Sequence, residues 1–383
     1  MRPIKLFMCT AGFVMALLFA AQVGAMTIFS SGSYVVPETI SLAPAGFGSF
    51  AGDYFIPDAR TNDIWVVQGS GGPPAATFLQ VPISTASNNS IDGGLFLPSG
   101  WGGSNSVKFL VTAQTLLAFG SDGNQVSIST PFDAVSGAFA TPIIAPAGFA
   151  SFGGDLFVSD QNNVIWRATL PGRDLTQFKS TVFVNGDGSA IAPFGLAFTP
   201  PDAGSFRNSL LVSDGGSNTG ADGKRSSKIV ALSANGTATL FATVPMKDGP
   251  PGVAGQHGLR QMVVAPDDYF KVALGIPGEL LLVSVAGSRN GGGVLGDILA
   301  LDLDGLIVAS LRDDLGLAKF DPRGMLFTAD GNLLISDTST SDPIWTATAN
   351  DFQRAPAAAP VPATLALMVL GLAGLGFSRR KKA

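Results

Sequence analysis

The chain is nearly without cysteine, histidine and glutamate. Its single cysteine, Cys9, falls in an apolar run close to the N-terminus. With one cysteine there is no disulfide framework, and no lipid-attachment motif surrounds it. The single histidine, His257, leaves no pair for a zinc site. Only Glu38 and Glu279 are glutamate; the other acids of the 28 are aspartate. Glutamate favours helices, whereas the short aspartate side chain bonds nearby backbone N–H groups and favours turns. Charge is also sparse, at 13 % of residues, with no basic stripe and no nucleic-acid motif, so a nucleic-acid partner is not expected. No apolar run reaches the roughly 20 residues that a stable transmembrane helix needs. What the chain has instead is 48 glycines and 25 prolines. Together with the aspartates they imply many short strands joined by turns.

Both ends differ from the middle. Arg2 and Lys5 precede an apolar stretch from Leu6 to Ala21, and Val23-Gly24-Ala25 follows with small residues. This is the layout of a secretory signal helix over 1–25, cut after Ala25. The other end reads Pro360-Val361-Pro362, then an uncharged stretch from Leu365 to Phe377, then Arg379, Arg380, Lys381 and Lys382. The positive-inside bias would hold the four cations on the cytoplasmic side while the short helix makes a transient membrane stop. The expected division is a signal peptide at 1–25, a body at 26–354, a Pro/Ala linker with the proline motif at 355–362, and a hydrophobic segment with its basic tail at 363–383. Removal of both signals takes away six bases and no acid. The body is left with 17 bases against 28 acids, net −11.

The C-terminal residues resemble the PEP-CTERM sorting signal of Gram-negative bacteria, with Val361 where that family has a central glutamate. The resemblance implies export, an exosortase-type membrane enzyme as processing partner, and an outer-surface or matrix destination. It also implies extracellular polysaccharide or matrix as a partner of the body.

The body repeats. Ala43-PAGFGSFAGDYFIPDARTND-Ile64-Trp65 and Ala145-PAGFASFGGDLFVSDQNNV-Ile165-Trp166 are near copies. Shorter echoes are Leu210-Leu211-Val212-Ser213-Asp214, Leu281-Leu282-Val283-Ser284 and Leu333-Leu334-Ile335-Ser336-Asp337, with a weaker one at Phe109-Leu110-Val111-Thr112. Five copies lead, after a polar loop, into strands headed by Ile64, Ile165, Ile229, Ile298 and Ile344. The spacing, roughly 50 residues, is that of propeller blades. The predicted fold is therefore all-β, a six-bladed β-propeller with a signal helix before it and a sorting helix after it. The last blade lacks a fourth strand before the linker, and Tyr34-Val35-Val36 is the expected closing strand. The Asp after each second strand is read as a structural cap of its loop.

The units are similar to NHL and gluconolactonase-like propellers. In the latter family a divalent metal is held at the channel mouth, so the resemblance implies a metal ligand at Phe194 and a catalytic acid at Arg323. Neither residue can serve. A non-catalytic binding or structural body without metal or cofactor is therefore expected, the alternative being a divergent propeller hydrolase or lactonase. Two long loops between second and third strands, at Gly215–Lys228 and Ala286–Asp297, are the candidate binding elements. They carry Asn218, Asp222, Lys224, Arg225, Arg289, Asn290 and Asp297, and add no evident strand. His257 is the candidate channel residue.

Overall fold

A computed structural model describes residues 26–355 except 33, 75, 82–89, 102–105, 127–137, 170–174, 184–189, 202, 217, 220–223, 250–254, 288–293, 312, 316, 318 and 340–342. The signal residue Ala25, the motif Pro360-Val361-Pro362 and the cations Arg379 to Lys382 lie outside the described residues, as do Asp222, Arg289 and Asn290. No helix among the described residues is long and apolar enough to cross a membrane. The chain divides into two compact units, Met1–Gln353 and Arg354–Ala383.

The first unit is a six-bladed β-propeller. Its inner strands are, in blade order, Ser41–Leu42, Gly93–Leu97, Phe139–Ile144, Pro193–Phe198, Gly258–Val264 and Pro322–Phe327. The second strands are Tyr54–Pro57, Lys108–Thr112, Leu156–Asp160, Leu210–Asp214, Leu281–Ala286 and Leu333–Asp337. Every residue of these second strands is buried, as a strand covered on both faces by neighbouring blades requires. The weak copy at Phe109–Thr112 is a full member of the set. The isoleucines Ile64, Ile165, Ile229, Ile298 and Ile344 lie on third strands and are fully buried.

Closure uses the N-terminus, but not the expected segment. The fourth strand of blade 6 is Thr27–Ser30, antiparallel to Ile344–Ala347, with Ile28 opposite Trp345. Tyr34-Val35-Val36 instead crosses from blade 6 to blade 1. The N–H groups of Val35 and Val36 donate to the Asp58 carboxylate at 2.6 and 3.2 Å, so the segment is bound by a side chain rather than a ladder. A strand does follow the last blade, Phe352–Arg354, and it joins the outer edge of blade 5.

The loop at Gly215–Lys228 also departs from expectation. Asn218–Thr219 is a short strand paired with Arg225 and Ser226, and the Arg225–Leu232 strand runs on against Ala238–Pro245. Ser227 is buried and donates its hydroxyl to the Asp214 carbonyl at 2.8 Å. This loop is therefore partly sheet. Asp297 is not a loop residue either, because it opens the third strand of blade 5 opposite Val285.

Candidate functional site

The aspartates behave as clasps. Asp160 accepts from the N–H of Ala138, at the entrance to its own inner strand, from the N–H of Asn162 in its loop, and from Trp166 Nε1 at 3.1 Å. Asp337 repeats this with Asp321, Ser339 and Trp345. Asp214 does the same with Ala192 and Gly216. Each carboxylate caps its loop and also ties that loop to the strand that enters the channel wall. This is more than the local cap read from sequence.

The residue just before the clasp position staples neighbouring blades in five of the six, including blades 2 and 5, where Ala113 and Val285 take the aspartate's place. Ser159 donates to the Phe194 carbonyl at 2.5 Å, Ser213 to that of Arg260 at 2.7 Å, and Ser284 to that of Arg323 at 2.9 Å. Ser336 reaches the Glu38 carbonyl at 2.6 Å, and Thr112 reaches that of Ala140. Blade 1 has Pro57 at this position and no hydroxyl to offer.

These carbonyls are available because the inner strands bulge. Pairing is irregular between Phe139 and Pro142, Pro193 and Leu196, Leu259 and Met262, and Pro322 and Met325. A bulge re-aims the side chain it carries. The bulges hold Ala140, Phe194, Arg260 and Arg323, and the corresponding positions in blades 1 and 2 are Glu38 and Asp92. The next residue is glycine in three blades, Gly93, Gly195 and Gly324, since a Cβ there would strike the Ala140, Arg260 and Glu38 carbonyls respectively.

Five of these six positions, all but Ala140, line a cavity of about 770 Å³ at the mouth of the channel. Ser90, Gln114, Gln161, Asn162 and His257 complete its polar wall. The farther parts of the same inner strands line a second, apolar cavity of about 610 Å³, with Ile40, Phe96, Leu196, Met262 and Met325.

The mouth is electrically divided. Blades 1 and 2 present carboxylates and blades 5 and 6 present guanidiniums. Arg323 is buried, with its Nη2 3.0 Å from Asp321 Oδ2, and Thr338 donates to the same carboxylate oxygen at 2.6 Å. Burial opposes its charge, but the Glu38 and Asp321 carboxylates outweigh that and hold it protonated. Burial likewise opposes charge on Asp321, yet Arg323 keeps its carboxyl below the usual range. Arg260 holds its guanidinium carbon over the Phe194 ring, 4.5 Å from the centroid, a cation–π contact. His257 is solvent-accessible at the rim. Partial desolvation and the Arg260 and Arg225 charges push its pKa down from 6.5.

The structure thus joins His257 to Phe194 and Arg323, and places Arg225 close enough for its charge to act on His257. Lys224 is exposed. Asp297 is not at this mouth. It is buried beside Lys247 Nζ at 3.4 Å, lining a separate cavity of about 210 Å³ with Leu311 and Phe320. No group of three or more His, Cys, Asp or Glu placed to hold a metal occurs among the described residues. Sequence reasoning missed Asp92 and Arg260 as members of the mouth, and the sequence around Glu38 does not match the pattern that marks such a residue in gluconolactonase-like propellers. The signal was the parallel between Pro37-Glu38, Pro193-Phe194 and Pro322-Arg323, each proline pairing with its clasp aspartate.

Residues 358–381 match the family described as the PEP-CTERM protein-sorting motif. The C-terminus therefore carries this motif, which implies export in Gram-negative bacteria and processing by an exosortase-type enzyme. No curated protein matches the chain. Among solved structures, a Trichoderma reesei protein of Carbohydrate-Active Enzymes family AA12 is similar at 12 % identity and TM-score 0.51, covering 88 % of this chain and 97 % of its own. A gluconolactonase of Xanthomonas campestris is similar at 13 % identity and TM-score 0.50, covering 89 % and 93 %. At such identities the likeness shows the propeller fold.

Proposed function

We propose that this is an exported propeller that acts as a non-catalytic binding module at the outer surface or in the extracellular matrix. In this reading the N-terminal signal peptide is cut after Ala25. The hydrophobic segment at 363–383 gives a transient inner-membrane stage, and an exosortase-type enzyme cuts near Pro360-Val361-Pro362. The binding site is the channel mouth, extended on one side by Arg225. The observation that carries this is the character of the inner ring. Phe194 and Arg323 occupy the positions at which a propeller lactonase would place a metal ligand and an acid, and both face the cavity. Phe194 brings no ligand for a hard cation and Arg323 no acid, which favours a hydrogen-bonding ligand over a metal.

A divergent propeller hydrolase is the second reading. It draws on the carboxylates Glu38 and Asp92 of adjacent blades at the same mouth. Lactone hydrolysis by the purified full-length protein, with calcium or zinc and with chelator, separates the two. We expect no hydrolysis above background; activity removed by chelator and restored by metal would establish the hydrolase. Mass spectrometry of the protein from native cells should find termini at Met26 and near Pro362. Retention of Arg379 to Lys382 on most molecules would make the tail a permanent anchor.

A further inference from the structure

We propose that the apolar end of the channel is a second ligand site, for a neutral amphiphile with an aliphatic body and one uncharged hydrogen-bonding group. The site lies beyond the mouth and does not depend on what the mouth binds.

The channel wall changes chemistry along the inner strands. At the level of the bulges it carries Glu38, Asp92, Arg260 and Arg323. One residue farther, blades 1, 3 and 5 place Thr39, Thr141 and Gln261, while the other three blades have glycine. Thr39, Thr141 and Gln261 all line the cavity of about 610 Å³ beyond. From there outward the wall is mainly aliphatic and aromatic, and no described residue that lines it is charged. Phe96, Ile143, Val263 and Leu326 are only half-buried, so apolar surface stays open inside this cavity. Covering such surface is favourable. Met262 and Met325 add unbranched, adaptable side chains to the wall. The volume lies within the usual range for small-molecule sites.

The polar band decides where the hydrogen-bonding group sits. Thr39 and Thr141 are 5 % and 4 % exposed, and neither hydroxyl oxygen has a hydrogen-bond partner among the described residues. Such unpaired hydroxyls are costly when closed off from water. A turn of χ1 exchanges the hydroxyl of a threonine with its methyl, so either can be brought to a ligand. Gln261 accepts the Met325 N–H through its Oε1, and its amide nitrogen is then the donor it can offer. A ligand hydroxyl both donates and accepts, which suits two threonines and an amide. A charged group at the band would be desolvated with no opposite charge on the described wall, at high cost. A purely apolar ligand would fill the cavity and leave both hydroxyls unpaired.

The test is calorimetric titration of the purified full-length protein with 1-octanol, 1-hexanol and octanoate. 1-Octanol should bind at least about tenfold tighter than octanoate, because the carboxylate must be stripped of water at the band. 1-Hexanol should bind roughly tenfold weaker than 1-octanol, for the two methylenes it lacks. Thr39→Val combined with Thr141→Val keeps the shape of both side chains and removes both hydroxyls. It should weaken 1-octanol by about three- to tenfold, the scale of one hydrogen bond. Leu326→Trp fills the cavity from blade 6 and should abolish binding. The comparison of 1-octanol with octanoate needs no variant, so it decides the matter even where a variant does not fold. Absence of 1-octanol binding, or octanoate bound as tightly, would overturn the proposal. So would indifference to the double threonine variant, or binding that survives Leu326→Trp.

Discussion

Blades 1 and 3 are built from nearly the same sequence, and they differ where each meets the rest of the ring. Their interiors correspond residue for residue. Ala43 and Ala145 each donate to an aspartate carbonyl, Asp53 and Asp155, at 2.8 Å. Phe47 packs on Phe96 with centroids at 4.8 Å, and Phe149 on Phe198 at 4.7 Å. Phe55 meets Phe78 at 5.0 Å, as Phe157 meets Phe178 at 5.0 Å. Asn62 and Asn163 both turn the loop with positive φ, 59° and 64°. The clasps differ. Asp160 and Asp58 both hold a loop N–H, Asn162 or Arg60, and the N–H that precedes the inner strand, Ala138 or Val36, but the second oxygen of Asp160 accepts from Trp166 Nε1 whereas that of Asp58 accepts from Val35 N–H. Trp65 Nε1 then has no hydrogen-bond partner among the described residues. At the mouth one blade presents Glu38 and the other buried Ala140. Repetition preserved the blade interior, while the seam and the mouth diverged.

The largest effect should come from breaking the seam. Deleting Thr27–Ser30 removes the fourth strand of blade 6 and exposes a sheet edge. It also removes Phe29, whose ring meets Tyr54 of blade 1 edge-on at 5.4 Å. The melting temperature of the purified protein should fall by about 10 °C or more, in line with several kcal/mol lost from one cooperative ring. An unchanged melting temperature would show that the ring closes without this strand.

Next come the clasps themselves. Asp160→Ala and Asp58→Ala each remove a charged acceptor that holds several buried N–H groups, and each should cost about 2–4 kcal/mol. Asp58→Ala should cost more, because it frees the segment leading to the closing strand as well as its own loop. Chemical denaturation midpoints measure the difference. Equal losses would mean that the seam is no more dependent on its clasp than the middle of the ring.

The repeat was legible because it rests on local chemistry. The run of apolar residues, the Ser-Asp pair and the following Ile-Trp all serve one blade, and all recur. Closure was legible as a need but not in detail. Tyr34-Val35-Val36 has the better strand composition, yet the Asp58 carboxylate takes its N–H groups, and Thr27–Ser30 pairs instead. The mouth was legible at Phe194, Arg323 and His257 and opaque at Glu38, Asp92 and Arg260. A site assembled from one residue per blade has no sequence neighbourhood of its own. Asp297 misled because it follows a long glycine-rich loop, while its pairing with Val285 puts it inside the sheet.

Blade 5 sharpens the comparison, since Val285 stands near the position where blades 1 and 3 have their aspartates. Its loop residue Gly287 donates to Asp321 of the following connection at 2.9 Å. Its buried acid is Asp297, raised from 3.8 to about 6 by burial and held back only partly by Lys247. For an acid with a raised native pKa, the folded state binds the proton more tightly than the unfolded one. Stability then falls as pH rises from about 4 to about 6 and stays lower above that window, by roughly 2–3 kcal/mol for such a shift. Asp297→Asn should flatten this slope and leave the protein at pH 8 at least as stable as the parent. Thermal melts across pH 4–8 test it, and an unaltered slope would mean that Asp297 stays ionised throughout.

The smallest effect concerns the mouth alone and should leave stability almost untouched. His257 is the only histidine, so one imidazole resonance reports it without assignment. Desolvation and the charges of Arg260, Arg225 and Arg323 lower its pKa, while Asp321 pulls the other way. Its NMR titration midpoint should therefore lie below 6.5. The charged form is disfavoured in the folded state, so any stability linked to it is complete above the unfolded value and is lost as pH falls below it. Arg260→Gln removes the largest opposing charge and should move the midpoint up. Arg225→Gln should move it less. A midpoint at or above 6.5 in the parent, or one indifferent to Arg260→Gln, would take His257 off the cationic side of the mouth. The divergence from blade 1 to blade 6 would then be structural variation rather than the making of a site.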